Sequence, residues 1–549
     1  MWKNRVLALV QQSKNFSFST RRNLQQATAV EIKDSKKTNL LDTNVYLSVT
    51  KPSTVQPLQG TQAVAYDDIP GPLTLKVVAK FWEIIPNVGT EMTISLLYSL
   101  MSGSFGVNSK SVLKKFFDRY GPIVKLHGAM GRDVVLLSRP EHARIILDQE
   151  NNTLFRSCMD SLDKYCREFR VCKYIEPFSI TGVDWDTIIR TIEEPTEATV
   201  FKHQRRVEEI CDDFIQRMLM VRNTQEEVPN DFKTEILKWS LECLSHVTLN
   251  KNLGFLNPEG VNITSDGGRL LTSISTTRDA LRRCEHGVHL WRFLETPSWK
   301  SLVNNCHDID DILFKYLENA INCIRDKKMK NANFKEAPTI EYMLLKEKLL
   351  PDDVMTILLD MFLVGASATT HTVQQLLYHL SKNTRCQIKV HEEISKHSID
   401  TDMRKLPYLQ ACIKECQRID PPISIMNRVL SNDVIIHHYR IPKGTPVLFA
   451  THLNNFREEY FEDAHKFKPE RWISSDLSSE YQGYATIPFG YGPKSCMAKE
   501  LAEMEIGMLL YQIYKRFRVE YNYGELKGSK DLFSSPSRPL KFRFVERKY

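Results

Sequence analysis

A single long helix constrains the fold of this 549-residue chain more than any other feature of its sequence. Residues 352–382 contain no proline, and their apolar side chains recur at helical spacing. These apolar positions, together with one glycine, are Val354, Ile357, Leu358, Met361, Phe362, Gly365, Ala368 and Val373. A helix of this length, about 46 Å at 1.5 Å per residue, crosses a whole domain. Gly365 in mid-helix costs about 1 kcal/mol relative to alanine, so it indicates either close helix packing or a functional need for space.

The rest of the chain has mostly helical periodicity with a few short strands. Helical patterns dominate residues 185–396. Ile123–Leu126 and Val134–Leu137 predict two paired strands, followed by a helix over residues 140–149 that begins at a proline. This pattern predicts a mostly α domain with small β-sheets at its edges, an α+β arrangement.

Composition excludes several classes of protein. Charged residues make up 26% and hydrophobic residues 42% of the chain, as in ordinary globular proteins. The net charge of +7 is too small for this length to indicate nucleic-acid binding, but it is compatible with an acidic protein partner. The 12 cysteines form no Cys-x-x-Cys pair, which favours reduced thiols in an intracellular compartment over a disulfide framework.

The N-terminus is basic, rich in serine and poor in acidic residues. The basic residues before the first acid, Glu31, are Lys3, Arg5, Lys14, Arg21 and Arg22. No apolar run there approaches the roughly 20 residues that span a bilayer. This composition predicts a mitochondrial transit peptide at 1–35, with a disordered cytosolic tail as the alternative. A polar linker follows at 36–65. One domain then spans 66–549 and begins near a rigid Asp-Asp-Ile-Pro-Gly-Pro turn.

The segment 489–496 reads Phe-Gly-Tyr-Gly-Pro-Lys-Ser-Cys and runs into an amphipathic helix. Gly490 and Gly492 let the backbone approach a flat partner closely and adopt positive φ. Cys496 lies just before the helix, where unpaired backbone N–H groups stabilise a thiolate. Such a thiolate can ligate haem iron, and thiolate ligation favours O–O cleavage. The alternative is a buried structural cysteine.

Three further motifs lie upstream of this loop. Glu415 and Arg418 stand three residues apart, which places them on one helical face. Residues 439–445 predict a strand, a turn and a second strand, and residues 467–472 read Phe-Lys-Pro-Glu-Arg-Trp and contain Arg471. A Glu-x-x-Arg pair alone is most often a solvated salt bridge, so its meaning depends on the companion motifs.

In this order and at these spacings, the motifs resemble those of the cytochrome P-450 monooxygenases, whose haem-binding loop reads Phe-x-x-Gly-x-Arg-x-Cys-x-Gly. Phe489, Gly492 and Cys496 match that loop, while Lys494 replaces its arginine and its last glycine is also replaced. The resemblance covers roughly residues 65–545. It implies the family's triangular-prism fold with a single catalytic domain, and one haem b with Cys496 as axial iron ligand.

The resemblance also implies roles for the companion motifs. Glu415, Arg418 and Arg471 would form a buried charge triad that braces the loop carrying the cysteine, with arginine forks closing on the carboxylate. The helix at 352–382 would pass over the haem, and the residues near Gly365 would leave room for oxygen and substrate.

Binding of the haem group is expected with fewer contacts than usual. Phe489, Gly490 and Gly492 would contact the haem, as part of the loop described above. The anionic propionates need cationic partners, which the resemblance assigns to Arg428 and Lys494, although lysine lacks the arginine fork.

A third propionate contact of the family is altered. Its Trp-x-x-x-Arg helix matches at Trp185, but Ile189 stands where the arginine is expected, and Arg190 follows one place late. The tryptophan is therefore predicted to contact the cofactor without its usual basic companion.

The sequence departs from the family at the proton relay. In the gapless register, Ser367 stands in place of the family's acid and Ala368 in place of its oxygen-side threonine. That acid–alcohol pair supplies protons to reduced oxygen, a form of general acid catalysis typically worth about 10²–10⁴-fold. The relay here must use Ser367, Thr369 or water, or be weak. Thr369 lies about 100° further round the helix, so it does not simply substitute.

Mitochondrial members of the family receive electrons from NADPH through a ferredoxin reductase and an acidic ferredoxin. Of the two basic docking positions on the Glu-x-x-Arg helix, one is Gln410 and the other Lys414. After the cysteine, the usual two basic residues are Lys499 and an acid. Lys414, Lys494 and Lys499 still predict a positive face for ferredoxin; ordinary surface lysines are the alternative.

The resulting interpretation is a mitochondrial haem-thiolate monooxygenase, peripheral on the matrix side of the inner membrane. The Asp-Asp-Ile-Pro-Gly-Pro turn and the Arg-Tyr-Gly-Pro-Ile-Val segment look most like arthropod mitochondrial members, which act on steroid hormones or xenobiotics. The expected substrate is therefore a lipophilic small molecule. The alternatives are peroxide isomerase or dehydratase chemistry, which needs neither a proton relay nor ferredoxin, and a degenerate haem-binding protein without turnover.

Overall fold

The computed structural model describes 13 stretches of the chain. They are residues 64–72, 109–127, 133–149, 160–169, 203–285, 291, 294–329, 339–345, 351–423, 426–473, 482–492, 495–526 and 538–548. The predicted transit peptide, all of the predicted linker except residues 64 and 65, Trp185 and Lys494 lie outside these residues.

Helices form most of the described structure. In chain order they are α1 (Ser109–Tyr120), α2 (Pro140–Leu147), α3 (Asp160–Phe169), α4 (203–221), α5 (Phe232–Leu249), α6 (Asp266–Glu285), α7 (Pro297–Met329), α8 (Thr339–Leu345), α9 (Pro351–Lys382), α10 (Thr384–Ser395), α11 (Pro407–Ile419), α12 (Thr451–Asn454), α13 (Gln482–Ala485) and α14 (Lys499–Arg516). The helix predicted at 140–149 ends two residues earlier, because Asp148 already lies at its C-cap.

The strands form three small sheets. They are β1 (Ile123–Leu126), β2 (Val134–Leu137), β3 (Met426–Val429), β4 (Val434–Ile436), β5 (Tyr439–Ile441), β6 (Pro446–Phe449), β7 (Phe517–Glu520) and β8 (Arg543–Glu546). The largest sheet has the order β1-β2-β6-β3, with β2 and β6 parallel; β4 pairs with β5, and β7 with β8. The two strands flanking the turn at 442–445 therefore belong to different sheets. A mostly α domain with small β-sheets is confirmed.

The long helix α9 crosses the centre of the domain, as its sequence predicts. Its N-terminal half packs into one apolar core with α3, α5, α6 and α7. Its C-terminal half packs into a second core with α4, α5, α10, α11 and α14. By length and composition α9 could cross a membrane, but 83% of its apolar window is buried inside the protein. We therefore regard it as a core helix.

One turn of α9 is wider than sequence periodicity predicts. Met361–Gly365 forms a π-helical segment between two α-helical stretches. Among the described residues, a Cβ atom placed on Gly365 would meet, within 4 Å, only the carbonyl oxygen of Asp360, which is 4.0 Å away. Close packing against another described helix is therefore not the reason for this glycine. Single π turns inside α-helices occur frequently at functional sites.

Candidate active site

A cavity separates the π-helical part of α9 from the segment that carries Cys496. Its empty space, counted together with the opening to solvent, is about 1510 Å³. Apolar side chains form most of its lining, among them Met361 and Val364 of α9 and Ile487. A concave, mostly apolar site with a few polar groups is typical of small-molecule and cofactor binding.

The loop before α14 presents a cysteine to this cavity. Gly490 and Gly492 have φ values of 81° and 62°, which only glycine adopts without strain. The loop is closed by the amide of Cys496, which donates to the carbonyl of Phe489 at 2.7 Å. Cys496 lines the cavity and lies just before the 18 residues of α14, where the helix N-terminus favours a negatively charged thiolate.

Other described cysteines do not reach the cavity. Eight of them are buried, at Cys166, Cys211, Cys243, Cys284, Cys306, Cys386, Cys412 and Cys416. Burial raises the pKa of the thiols of Cys211, Cys243, Cys386, Cys412 and Cys416, so they stay protonated at neutral pH. Cys323 is exposed, but it lies on α7. Among the described residues, Cys496 is thus the one cysteine in the cavity wall.

The relay positions of α9 differ in their access to the cavity. The hydroxyl of Ser367 donates to the carbonyl of Leu363 at 2.7 Å, and this buried residue does not line the cavity. Ala368 and Thr369 both line it. The lining face of α9 is broad enough to include two neighbouring positions about 100° apart. Thr369, one of the two relay candidates, therefore reaches the cavity although it lies about 100° round the helix from Ala368.

A buried arginine provides positive charge at the cavity. Arg428 lies on β3, in register with Val447 of β6, and is 2% exposed. It also lines the cavity. The guanidinium can therefore balance an anionic group there through fork-shaped hydrogen bonds. Trp185 and Lys494, the other predicted partners, lie outside the described residues.

The predicted charge triad is assembled around one carboxylate. Glu415 and Arg418 are both 0% exposed and pair at 2.8 Å. The Nε of Arg471 donates to Glu415 at 3.1 Å, the indole N–H of Trp472 at 2.9 Å, and the amide of Lys468 at 2.9 Å. Five donors in all thus converge on a carboxylate that has no access to water.

The arginines of the triad also bind the chain that precedes Pro469. Arg418 donates to the carbonyls of Asn455, Ala464 and Lys466, and Arg471 donates to those of Glu462 and Asp463. Among the described residues, the triad thus holds the chain that leads toward the cysteine loop, and bracing of the loop at 489–496 stays a prediction.

Two acidic residues in the cavity wall escaped the sequence analysis. Asp360 immediately precedes the π-helical segment, and Glu505 lies on α14; both are buried and line the cavity. Burial raises the pKa of Glu505 to about 8. The two acids Glu503 and Glu505 among the apolar residues of α14 were the available signal.

The predicted ferredoxin face contains both charge signs. Lys414 is half-buried on α11, and Lys499 is exposed at the start of α14. Burial has the largest effect on the pKa of Glu503 and raises it. Both lysines lie close enough to this carboxyl group to oppose that shift. Gln410 is buried and donates to the carbonyl of Met403 at 3.1 Å, so it does not belong to an exposed docking face.

The residues present fit a haem bound through a thiolate. Cys496 lines the cavity together with an apolar stretch of α9 that has an open position at Gly365. In the described part of the chain, no atom lies within 4 Å of a Cβ placed on Gly492, which leaves room against the glycine loop. Arg428 suits an anionic propionate. A soft sulfur donor is also one of the ligand types that haem iron accepts.

Comparison with known proteins identifies one family. The family model for cytochrome P450 matches residues 89–544. The chain is 30% identical to probable cytochrome P450 12a5, mitochondrial, of Drosophila melanogaster, over 78% of the chain and 84% of that protein. It is 28% identical to probable cytochrome P450 301a1, mitochondrial, of the same species, over 88% and 87%. Among solved structures, the fold resembles retinoic acid bound cyanobacterial CYP120A1, with a TM-score of 0.66, 16% identity, and coverage of 82% of this chain and 97% of the other.

Proposed function

The chain belongs to the cytochrome P450 family, and on that premise we propose that it is a mitochondrial monooxygenase that oxidises a lipophilic steroid or xenobiotic. Family and fold establish a haem-dependent oxidoreductase whose iron is held by a cysteine thiolate. The bound haem supplies the activation of dioxygen, by which one oxygen atom enters the substrate and the other leaves as water. The electrons would come from NADPH through ferredoxin reductase and ferredoxin.

Cys496 is the proposed thiolate ligand. The observation that carries this proposal is its position in the cavity wall that also contains the open turn of α9, while the other described cysteines lie elsewhere. Phe489, Gly490 and Gly492 would shape the loop against the flat cofactor. Arg428 would hold one propionate.

Two further cofactor contacts rest on the sequence resemblance alone. Lys494 would pair with a propionate as a point charge, and Trp185 would contact the cofactor. Both residues lie outside the described part of the structure.

The spectrum of the reduced, CO-bound protein tests the ligand. The wild type should show the red-shifted Soret band of a thiolate haem, and Cys496→Ala should lose it. Cys323→Ala is a matched control, because Cys323 is also exposed but lies on α7, outside the cavity. A Cys496→Ala variant that retains the red-shifted band contradicts the assignment.

Protons would reach the reacting oxygen through water molecules that hydroxyl groups hold in the cavity, apart from bulk solvent. Thr369 is the hydroxyl of the relay sequence that lines the cavity, whereas the hydroxyl of Ser367 is already bonded to the carbonyl of Leu363. Thr369 would position water near the reacting oxygen, and the methyl group of Ala368 would leave it more space there. The apolar walls would orient a lipophilic substrate and exclude further water.

Electron transfer would use the face around Lys414 and Lys499, together with Lys494, which shortly precedes Lys499 in the sequence. Charge complementarity at such a face accelerates association and makes it dependent on salt. Lys414→Glu and Lys499→Glu should each raise the ferredoxin concentration for half-maximal rate several-fold, most strongly at low salt. Lys251→Glu, an exposed lysine beyond the end of α5, should not. Product formation driven by added peroxide should be equal in all four proteins.

The proposed mitochondrial location is supported by several relatives that are named as mitochondrial proteins and by the basic leader at 1–35. The domain would then begin near residue 66, after the linker. Peripheral attachment to the matrix side of the inner membrane is the finer part of this proposal. The N-terminus of the protein isolated from cells should lie near residue 35, and carbonate extraction should release the protein from mitochondrial membranes. A chain that begins at Met1 in another membrane contradicts both.

A reconstituted assay tests the proposed activity and substrate class together. Steroids and xenobiotics should be tested with NADPH, ferredoxin and its reductase, and the products should gain the mass of one oxygen atom. The observation that favours isomerase or dehydratase chemistry is that Ala368 stands in place of the family's usual threonine. Conversion of an organic hydroperoxide without NADPH, and no oxygen gain on any substrate with it, would support that chemistry instead.

A further inference from the structure

The backbone of the cysteine loop at 489–496 is intrinsically free to move. Gly490 and Gly492 have φ values of 81° and 62°, and glycine loses more conformational freedom on folding than any other residue. The backbone hydrogen bond from the amide of Cys496 to the carbonyl of Phe489, at 2.7 Å, closes the loop on itself and does not join it to another element. A link from the loop to the rest of the protein is therefore to be sought among its side chains.

Tyr491, which stands between the two glycines, joins the loop to other elements. Its phenol oxygen lies 2.9 Å from that of Tyr484 in α13, and the centroids of the two rings are 5.0 Å apart. Tyr484 in turn donates to Oδ1 of Asp148 at 2.7 Å, and Asp148 is the C-cap residue of α2. Two phenols thus connect the cysteine loop to a carboxylate at the end of α2.

The carboxylate sets the direction of both hydrogen bonds. An ionised carboxyl group only accepts, so the hydroxyl proton of Tyr484 points at Asp148, and the oxygen of Tyr484 accepts from Tyr491. Burial, together with hydrogen bonds to Tyr491 and Asp148, raises the pKa of Tyr484 above its ordinary value, so this phenol keeps its proton. Hydrogen bonds in a chain polarise one another, and those that end on a charge are the strong ones. The strength of the whole chain therefore depends on the negative charge of Asp148.

The far end of this chain belongs to a packed part of the fold. The rings of Tyr484 and Tyr491 pack against an apolar core that contains Ile146 of α2 and side chains of β2, β3 and β6. Arg144, one turn earlier in α2, pairs with the other oxygen of Asp148 at 3.4 Å, which leaves Oδ1 for Tyr484. The cysteine loop is therefore anchored to a helix and the largest sheet, and not to another loop.

We propose that Tyr491, Tyr484 and Asp148 form a tether for the cysteine loop. By holding the loop in position, the tether keeps the thiolate of Cys496 on the iron. The inference rests on the proposed function, in which Cys496 is the ligand. Residues 487–490, which immediately precede Tyr491, line the cavity, so a displacement of Tyr491 would move the cavity wall and the ligand together. The three residues of the tether act through the loop and are positioning residues.

The rate at which the reduced, CO-bound protein loses its red-shifted Soret band tests the tether without any turnover. All variants should show the band at first, because Cys496 is unchanged. In one fixed, mildly denaturing concentration of urea, Tyr484→Phe and Asp148→Asn should each lose it roughly tenfold faster than the wild type, which corresponds to about 1.4 kcal/mol. Tyr491→Phe should behave in the same way. Asp148→Glu keeps the carboxylate and should restore most of the wild-type rate.

Tyr460→Phe is the matched control for the loss of a phenol that bonds to α2. The hydroxyl of Tyr460 donates to Glu141 of α2 at 3.1 Å, but Tyr460 lies outside the cysteine loop. This variant should lose the band at a rate within about twofold of the wild type. Tyr484→Phe combined with Asp148→Asn should lose it no faster than either single variant, because residues in one hydrogen-bond chain are not additive.

The outcomes separate this inference from the proposed function. A wild type without the red-shifted band refutes the proposed thiolate ligand. A wild type with the band, and tether variants that lose it at the wild-type rate, refute the tether alone. Equal acceleration in Tyr484→Phe and Tyr460→Phe also refutes the tether, because it would reflect a general loss of stability. If the tyrosine variants do not fold, Asp148→Asn decides, since this residue is exposed at the end of α2.

Discussion

Replacing Glu415 by glutamine should destabilise the protein strongly, because five hydrogen-bond donors depend on its negative charge. Arg418 donates with Nε and Nη2, at 3.0 and 2.8 Å, and further bonds come from Arg471, Trp472 and the amide of Lys468. Glutamine of the same size removes the charge and turns one acceptor into a donor that faces other donors. Two arginines then lie at a buried site without an anion.

The magnitude follows from the burial of the pair. Removing one partner of a buried ion pair typically costs about 3–5 kcal/mol, because an uncompensated charge remains. For the length matched by the family model, residues 89–544, an unfolding entropy of about 2.1 cal/mol/K per residue gives roughly 1 kcal/mol/K. The free-energy loss therefore corresponds to a decrease in Tm of about 3–5 °C.

Thermal unfolding of the haem-loaded protein at one fixed scan rate measures this effect. Glu295→Gln is the matched control: Glu295 also pairs with a lysine, Lys300, at 3.1 Å, but is 76% exposed. An exposed pair contributes about 0–1 kcal/mol, so the control should change Tm by no more than about 1 °C. A Glu415→Gln variant that unfolds at the same temperature as Glu295→Gln would refute the assignment of the triad as a stabilising centre.

Three further predictions concern α9 and α14. Gly365→Ala should fold normally and gain up to about 1 kcal/mol of helix propensity, because among the described residues a Cβ there meets only the Asp360 carbonyl, at 4.0 Å. The added methyl group narrows the cavity, so KM should rise more for bulky substrates than for small ones. Equal changes in KM for both would contradict this. Ala368→Thr should raise the product formed per NADPH by up to about tenfold, which corresponds to about 1.4 kcal/mol of lower barrier for the productive branch. Ser367→Asp should not raise it, since position 367 does not line the cavity. Tight coupling of NADPH use to product in the wild type would contradict this expectation. Burial raises the pKa of Glu505 from 4.5 to about 8, so the folded protein binds more protons than the unfolded chain between these values. Stability should decrease as pH rises through that window, and Glu505→Gln should flatten the dependence; an identical pH profile of Tm in both proteins would show that Glu505 is ionised.

Features fixed by short-range spacing were predictable from the sequence. Glu415 and Arg418 share a helical face because they are three residues apart in one helix. Gly490 and Gly492 occupy the backbone conformation that their residue type indicates. The strands Ile123–Leu126 and Val134–Leu137 were recognisable by their β-branched and apolar residues and have the predicted bounds.

Features created by long-range packing were not predictable from the sequence. The partners of Arg418 are carbonyl groups 37 to 48 residues further along the chain, and no side-chain pattern encodes a carbonyl. The cavity position of Glu505 depends on how α14 packs against α5 and α9. The π-helical segment Met361–Gly365 inserts an extra residue into an apolar stretch whose sequence suits a regular helix equally well. The extra residue changes the helical phase of the positions that follow it, so the sequence alone did not place Thr369 in the cavity wall beside Ala368.

The parallel pairing of β2 with β6 has a consequence for biogenesis. Val135 and Val447, which pair in this sheet, are about 310 residues apart, so the first strands have no complete sheet until most of the polypeptide has been made or imported. Contacts of such high sequence separation slow folding and leave apolar strands uncovered for longer. Chaperone retention should therefore last until β6 has emerged. Cofactor insertion should follow, because Cys496 emerges later still.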